Sequence, residues 1–546
     1  MLYLSTTLLA AIITVSLIPL VIRLAVRFQM VDVPGPRKVH ACPVPRVGGV
    51  AMALGAFVPL ILWTAGSGFV RAYLAGAAVL VAFGLVDDLR GLGYRTKFLG
   101  QILAAIAVVV YGGIRVDSLG TLLPDALTVP GWFAVPLSVI VIVGVTNAFN
   151  LTDGLDGLAG GISLLVFCCI GYLAYLSGNN DVLLFSLALA GAIFGFLRYN
   201  THPAILFMGD TGSQLLGFSA AVFAIKITQG ATPLSPLLPL IILGLPVLDT
   251  ITVMVSRIRD GRSPFSPDKN HFHHRLMGFG LSHSEAVLAI YLTQAVMVVS
   301  AIFFRYYTDW ALLIFYVAFS AALLGALTAA DRTGFRFKRY PLIDDAVKGM
   351  RTIRDGQWIV RISFTISRVA IPVVFLLACL LPGSVPKYVS IIAACFGLAI
   401  LLVRRFARDH MGLCLRYVLY MSVPLVLYLA EADKAAWVSS KMFTLYHLSF
   451  GLIAFFVLLT VKYTRRTKGF QVTTMDFLVI FIAAIIPNLP DSLIQSLQIG
   501  LLAVEIIVLL FGFEVLLKEF RGRFEQLAAV TLAALVLIGI RGGSGF

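Results

Sequence analysis

The chain has 546 residues, 59% hydrophobic and 13% charged, and a net charge of +15. Soluble domains carry about 25% charged residues, so this balance and a mean hydropathy of +0.95 exclude an ordinary soluble enzyme. Apolar runs near the roughly 20 residues that cross a bilayer recur from end to end, too long and uniform for barrel strands of about 9–11 alternating residues.

The fold class is therefore all-α, a polytopic helical membrane protein. The first run, "MLYLSTTLLAAIITVSLIPL", lacks a basic n-region and a clear cleavage site, so it reads as a span and not a signal peptide. Eleven spans are predicted in residues 1–330: Leu2–Val21, Val47–Ala65, Ala72–Val86, Phe98–Ile114, Phe133–Thr146, Leu158–Leu176, Val182–Leu197, Ser213–Ile227, Leu237–Val255, Ala286–Phe304 and Ala311–Ala329. The loop after the first carries Arg23, Arg27, Arg37, Lys38 and Arg46. Basic loops stay in the cytoplasm, so the N-terminus is outside. The same rule accounts for the positive net charge without a nucleic-acid partner. Counting forward puts Asp87–Lys97, Asn147–Gly157, Arg198–Gly212 and Ser256–Glu285 on the cytoplasmic side. Residues 331–367 are read as a basic cytoplasmic connector with room for a surface helix. Residues 368–546 form an additional transmembrane domain of seven spans: Val369–Leu381, Tyr388–Val403, Leu415–Ala430, Leu445–Val461, Phe477–Pro487, Ile499–Leu517 and Leu527–Ile540. None of the six cysteines forms a Cys-x-x-Cys pair, which leaves no metal or disulfide framework to read.

The cytoplasmic loops hold the polar signatures. "GLVDDLRGLGYRTK" ends a span on Asp87 and Asp88, with Arg90, Arg95 and Lys97 following. Adjacent carboxylates repel unless a cation or proton lies between them. Charges at a helix end also often face water, but cations close by suit a metal–phosphate site better. "VTNAFNLTDGLDGLAGG" spaces Asn147 and Asn150, and then Asp153 and Asp156, three apart; on a helix each pair shares a face. Those four oxygen-bearing side chains could ligate Mg²⁺; a capped helix start at Asn150 or Thr152 explains only part of them. "RYNTHPAILFMGDTGSQLLGF" offers Asp210 as an N-cap or a metal ligand, with Asn200 and Phe207 as candidates for a nucleobase. "SPFSPDKNHFHHRLMGFGLS" gathers His271, His273 and His274 beside Lys269 and Arg275. No cysteine is near to complete a zinc site, and partly cationic histidines suit a pyrophosphate.

Together, "VDDLRGLGYRTK", "NAFNLTDGLDGLAGG", "FMGDTGS", "NHFHHRL" and the N-terminal "MVDVPGPRKVHACPVPRVGG" resemble the polyprenyl-phosphate N-acetylhexosamine-1-phosphate transferases. The resemblance covers residues 1–330, in the family's motif order. It implies that undecaprenyl phosphate attacks the β-phosphate of a UDP-N-acetylhexosamine, that UMP leaves, and that the lipid-linked sugar starts a cell-surface glycan. It implies Mg²⁺ or Mn²⁺, and a site on the cytoplasmic face of a bacterial inner membrane. Carried over by position, Asp87 and Asp88 activate the prenyl phosphate. Asn150 and Asp210 hold the metal. Asn147, Asp153, Asp156, Asn200 and Phe207 serve the nucleotide sugar, and Lys97, His271, His273 and His274 bind phosphates. One-step displacement is favoured over a covalent route through Asp87.

The peptidoglycan branch, which takes UDP-MurNAc-pentapeptide, has a proline before its histidines. "DKNHFHHRLMGFG" resembles the branch using UDP-GlcNAc. The spans from Arg368 onward carry no signature of this family; pairing with a second copy, docking of later glycosyltransferases or lipid handling are the expectations for them. Glu505 and Glu514 lie in one apolar run there, and intramembrane acids are functional candidates by default. A lipid-linked-sugar flippase shares the many spans, but its polar residues would sit near the midplane. A catalytically dead scaffold would tolerate loss of acids that are all present here.

Overall fold

The computed structural model describes residues 2–32, 43–64, 66–124, 129–263, 270–337, 358–463, 499–519 and 524–543. It divides into two compact units, Met1–Lys338 and Arg339–Phe546. Among the described residues, thirteen helices are long and apolar enough to cross a membrane, and the chain is a polytopic helical membrane protein.

Unit 1 begins with α1 (Leu2–Arg27), a two-residue antiparallel ribbon of β1 (Val31–Asp32) and β2 (Val44–Pro45), α2 (Gly48–Trp63) and α3 (Gly68–Arg90). α4 (Tyr94–Ile106) runs on into a π-turn at Ala107–Tyr111. There follow α5 (Gly131–Thr152), α6 (Leu158–Leu176), α7 (Asn180–Asn200), α8 (Gly209–Thr228), α9 (Leu238–Ile242), α10 (Gly244–Arg259), α11 (Phe272–Gly278), α12 (His283–Phe303) and α13 (Asp309–Thr333). α8 is the hub, packed by α2, α3, α5, α6, α7 and α9. Its polar residues are satisfied inside the bundle. Ser219 and Thr228 donate to carbonyls one turn back, and Ser219 also pairs with the Tyr73 hydroxyl on α3 at 2.9 Å. Bonding of this kind is what an environment without water demands.

Two sequence expectations are corrected. The span Leu237–Val255 is broken at Leu243 into α9 and α10. Pro246 has no N–H to give the carbonyl of Ile242, four residues back. The Gln294 amide of α12, fully buried, donates to that carbonyl at 2.9 Å instead. The span Phe133–Thr146 continues as helix to Thr152, so Asn147 and Asn150 lie on the last turns of α5. Asp153 and Asp156 do not share a helical face; they sit in the tight turn between α5 and α6.

Unit 2 comprises α14 (Trp358–Leu380), α15 (Lys387–Phe406), α16 (Met411–Ala432), α17 (Ser440–Tyr463), α18 (Ile499–Glu519) and α19 (Glu525–Gly543). α14 starts ten residues before the predicted edge of the connector at 368, because Trp358, Ile359, Val360 and Ile362 extend the apolar helix backwards. The predicted span Phe477–Pro487 lies outside the described residues. Inside this bundle Arg416 holds Glu514 through two bonds of 2.6 and 3.2 Å, and Tyr420 adds a third at 3.0 Å, so Glu514 is a satisfied interior charge.

Candidate active site

The ends of α3, α5 and α7 and the starts of α4, α6 and α8 meet at one end of unit 1. α8 begins on Gly209 at φ +69°, a left-handed conformation that suits glycine. A Cβ there would lie 2.6 Å from both carboxylate oxygens of Asp88. That close approach lets Asp88 cap α8 from a neighbouring helix. Asp88 Oδ1 accepts the Asp210 N–H at 2.9 Å, and Oδ2 accepts the Thr211 N–H at 3.2 Å and hydroxyl at 2.7 Å. Free N–H groups at a helix start favour an anion in this place. Asp210 itself is not the cap but the second residue of the helix.

Asp87 points another way. Its Oδ1 accepts the Leu92 N–H at 2.5 Å, and its Oδ2 lies 2.6 Å from Lys97 Nζ. Lys97 Nζ is also 2.8 Å from Asp210 Oδ2, so one ammonium bridges carboxylates of α3 and α8. The Asn150 side chain hydrogen-bonds Asp210 and accepts the Ser213 hydroxyl at 2.7 Å. Asp153 lies next in this field. Burial first, then the charges of Asp210, Asp88 and Asp156, push its carboxyl up to about 7, and Arg46 acts in the opposite sense. The sequence's separate acidic signatures are thus one cluster.

The remaining predicted residues are placed as follows. Asn200 is buried with both ends of its amide engaged: it accepts the Gly157 N–H at 2.9 Å and donates to the Leu206 carbonyl at 2.8 Å. It clasps the turn to the 201–207 loop and is not turned toward a nucleobase. Phe207 anchors its loop by backbone bonds to Pro45 and Gly48 at 2.8 and 2.9 Å, with its ring partly exposed. Asp156 Oδ2 accepts the Ala204 N–H at 3.1 Å and lies 2.7 Å from His202 Nδ1. Asn147 is partly exposed, on the wall of a cavity.

Of the histidines, His271 is buried with Nδ1 2.8 Å from Asp249 Oδ2, while Asp249 Oδ1 accepts the Phe272 N–H at 2.8 Å. Asp249 therefore anchors the start of α11. His273 packs against the turn: a Cβ on Gly154 would be 2.5 Å from its Nε2. Burial, then the neighbouring imidazoles, push His273 down to about 3. That shift favours the neutral form of the His273 ring. The His274 ring lies tilted against it, centroids 4.2 Å apart. Arg275 is paired with Asp331, and Lys269 lies outside the described residues. Sequence reasoning missed Asp249, although a lone acid inside an apolar run was a usable signal. It also missed His202 and His283, whose rings stack at 4.1 Å beside Asp156; no local pattern announces them.

An apolar cavity of about 660 Å³ opens between α4, α5, α8, α9 and α10. Phe98, Asn147 and Ala148 lie at its active-site end, Val143, Leu243, Val247 and Ile251 along its walls, and Gln229 and Pro236 toward the far end.

A carboxylate cluster at the ends of membrane helices, beside an apolar cavity, suits a membrane enzyme that joins a polar substrate to a lipid. Residues 70–228 match the family described as glycosyl transferase family 4. The chain is 40% identical over 298 residues to a probable undecaprenyl-phosphate N-acetylglucosaminyl 1-phosphate transferase of Bacillus subtilis, covering 54% of this chain and 82% of that one. It is 38% identical over 327 residues to the decaprenyl-phosphate N-acetylglucosaminephosphotransferase of Mycolicibacterium smegmatis, covering 54% and 79%. It is 32% identical over 303 residues to the undecaprenyl-phosphate alpha-N-acetylglucosaminyl 1-phosphate transferase of Escherichia coli K12, covering 54% and 83%. The chain belongs to this family of membrane transferases.

Proposed function

We propose that unit 1 transfers GlcNAc-1-phosphate from UDP-GlcNAc to a polyprenyl phosphate such as undecaprenyl phosphate, releasing UMP, at the cytoplasmic face of a bacterial inner membrane. The observation that carries this reading is the Asp87–Lys97–Asp210 bridge beside an apolar cavity with Asn147 on its wall. The cavity accepts isoprene units, whose burial is favourable, and brings the lipid's phosphate to the carboxylate cluster. The relatives' names supply the sugar and the acceptor.

Asn150 and Asp210, with Asp153 beside them, form an all-oxygen donor set in a cluster whose acids, Asp87, Asp88, Asp153, Asp156 and Asp210, outnumber the cations Lys97 and Arg46. Such a set fits a hard divalent cation, Mg²⁺ or Mn²⁺. When bound, that ion supplies neutralisation of the pyrophosphate and polarisation of its P–O bonds. The chain does the rest by positioning, which is most of what phosphoryl transfer asks. Lys97 exchanges Asp210 for a phosphate oxygen of the substrate while Asp87 Oδ2 keeps its hold on the ammonium. Asp88 fixes the start of α8 and so the direction of Asp210. An oxygen of the prenyl phosphate attacks the β-phosphorus as the bond to UMP breaks. Asp87 Oδ2 is the acceptor for a proton if the lipid phosphate arrives singly charged. Neutral His273 hydrogen-bonds a phosphate oxygen, and Asn147, Asp156 and Phe207 border the nucleotide sugar.

UMP release by the purified full chain, with UDP-GlcNAc, undecaprenyl phosphate and Mg²⁺, tests the reading. Asp210→Asn is expected to lower turnover by at least about 10²–10³-fold, as loss of a charge-stabilising group does, while the chain still folds and melts cooperatively. Full activity in that variant, or no UMP from any UDP-sugar, overturns the proposal.

A further inference from the structure

Unit 2 holds a second cluster of ionisable groups, inside its bundle and independent of the transferase chemistry. Glu431 near the end of α16, His447 on α17 and Glu505 on α18 bring one ligand atom each within 4.8 Å of one another. The side chains are 8%, 17% and 1% exposed. Glu505 Oε1 lies 2.5 Å from His447 Nδ1. Its other oxygen, Oε2, is buried with no hydrogen-bond partner, and so is Glu431 Oε1. Glu431 Oε1 is 3.7 Å from His447 Nε2, too far for a hydrogen bond. The Lys434 ammonium lies over the Phe443 ring at 3.4 Å from its centroid.

Two carboxylates in an apolar bundle are costly unless paired. An imidazolium compensates one of them and leaves the 3.7 Å gap unbridged. A metal ion fills it: bonds of about 2.0–2.2 Å to a histidine nitrogen and a carboxylate oxygen put those two atoms roughly 3–4 Å apart. The Nδ1 contact matches what a metal-binding histidine needs. A carboxylate accepting the Nδ1–H fixes the tautomer and aims the Nε2 lone pair outward, here toward Glu431. The neighbouring Tyr446 hydroxyl is also buried without a partner, and can hydrogen-bond a water on the ion.

We propose that Glu431, His447 and Glu505 form a binding site for one divalent transition-metal ion of the zinc class. Glu431 and His447 Nε2 are its protein ligands, water completes the coordination, and Glu505 orients the histidine through Nδ1. Imidazole and carboxylate together suit zinc better than magnesium. The ion ties α16 to α17 within unit 2, and Glu505 braces α18 against the same histidine.

The test uses the full chain in detergent, stripped with chelator and then equilibrated with Zn²⁺, with metal counted by mass spectrometry. Wild type is expected to retain one zinc per chain more than His447→Gln and Glu505→Gln, whereas Glu514→Gln retains the wild-type amount. Any zinc held by unit 1 cancels in that difference. Equal zinc in wild type and both variants overturns the site, as does the same loss in Glu514→Gln. If the variants do not fold, anomalous diffraction at the zinc edge from the zinc-loaded wild type decides. A peak beside His447 Nε2 supports the site, and no peak there overturns it.

Discussion

At the scale of single residues, the candidate site crowds acids together and lets one lysine bridge two of them, Asp87 and Asp210. Asp153 makes this measurable. Its carboxyl is pushed up to about 7 by burial and by three neighbouring carboxylates. A raised carboxyl pKa favours the folded state below the unfolded value near 4, and the advantage is lost as pH climbs through 7 and the charge is forced on. Without divalent cation, Asp153→Asn is therefore expected to melt at a higher temperature than wild type at pH 8, with the difference vanishing near pH 4. A constant difference across that range would show that Asp153 does not carry the predicted burden. The sequence made Asp153 conspicuous, because acids are rare in this chain and three signatures concentrate them. It did not reveal who holds whom. That Asp88 spends both oxygens on Asp210 and Thr211, or that Asn200 closes a turn, depends on contacts 122 and 43 positions apart. No local pattern encodes such distances.

At the scale of elements, apolar runs located the helices well, since a bilayer demands them, but not their interruptions. The break between α9 and α10 was written in Pro246; its repair by Gln294 was not, because a single amide in α12 has no periodicity to read. Gln294→Leu leaves the buried Ile242 carbonyl unpaired and is expected to cost about 1–3 kcal/mol, visible as a lower melting temperature. In a Pro246→Ala background the restored N–H can serve that carbonyl, so the same substitution is expected to cost less. Equal costs in the two backgrounds would reject the repair. The turn after α5 shows the reverse lesson. Three-residue spacing suggested a helical face for Asp153 and Asp156, yet α5 stops at Thr152 and Gly157, in a left-handed conformation, caps the start of α6, so both acids lie in the turn instead.

At the scale of the molecule, the two units divide the polar chemistry between them. In unit 1 the carboxylate cluster sits at helix ends and adjoins the apolar cavity. Gly144 lines that cavity, and a Cβ on it would meet nothing within 4 Å. Gly144→Leu is expected to fold, to occupy the space, and to raise KM for undecaprenyl phosphate severalfold while leaving KM for UDP-GlcNAc unchanged. An unaltered lipid KM would remove the cavity from the acceptor's path. The cavity itself was hidden in the sequence, because its walls are drawn from five helices whose apolar residues look like any lipid-facing surface.

α8 has one further consequence. Its first turn carries Asp210, and its last turn carries Ile225 and Thr228, which line the cavity. Twenty residues make a strut about 30 Å long, gripped on every side and capped by Asp88. One rigid element therefore fixes the spacing between the far reach of the cavity and Asp210, so the greasy and ionic halves of the site keep a set separation.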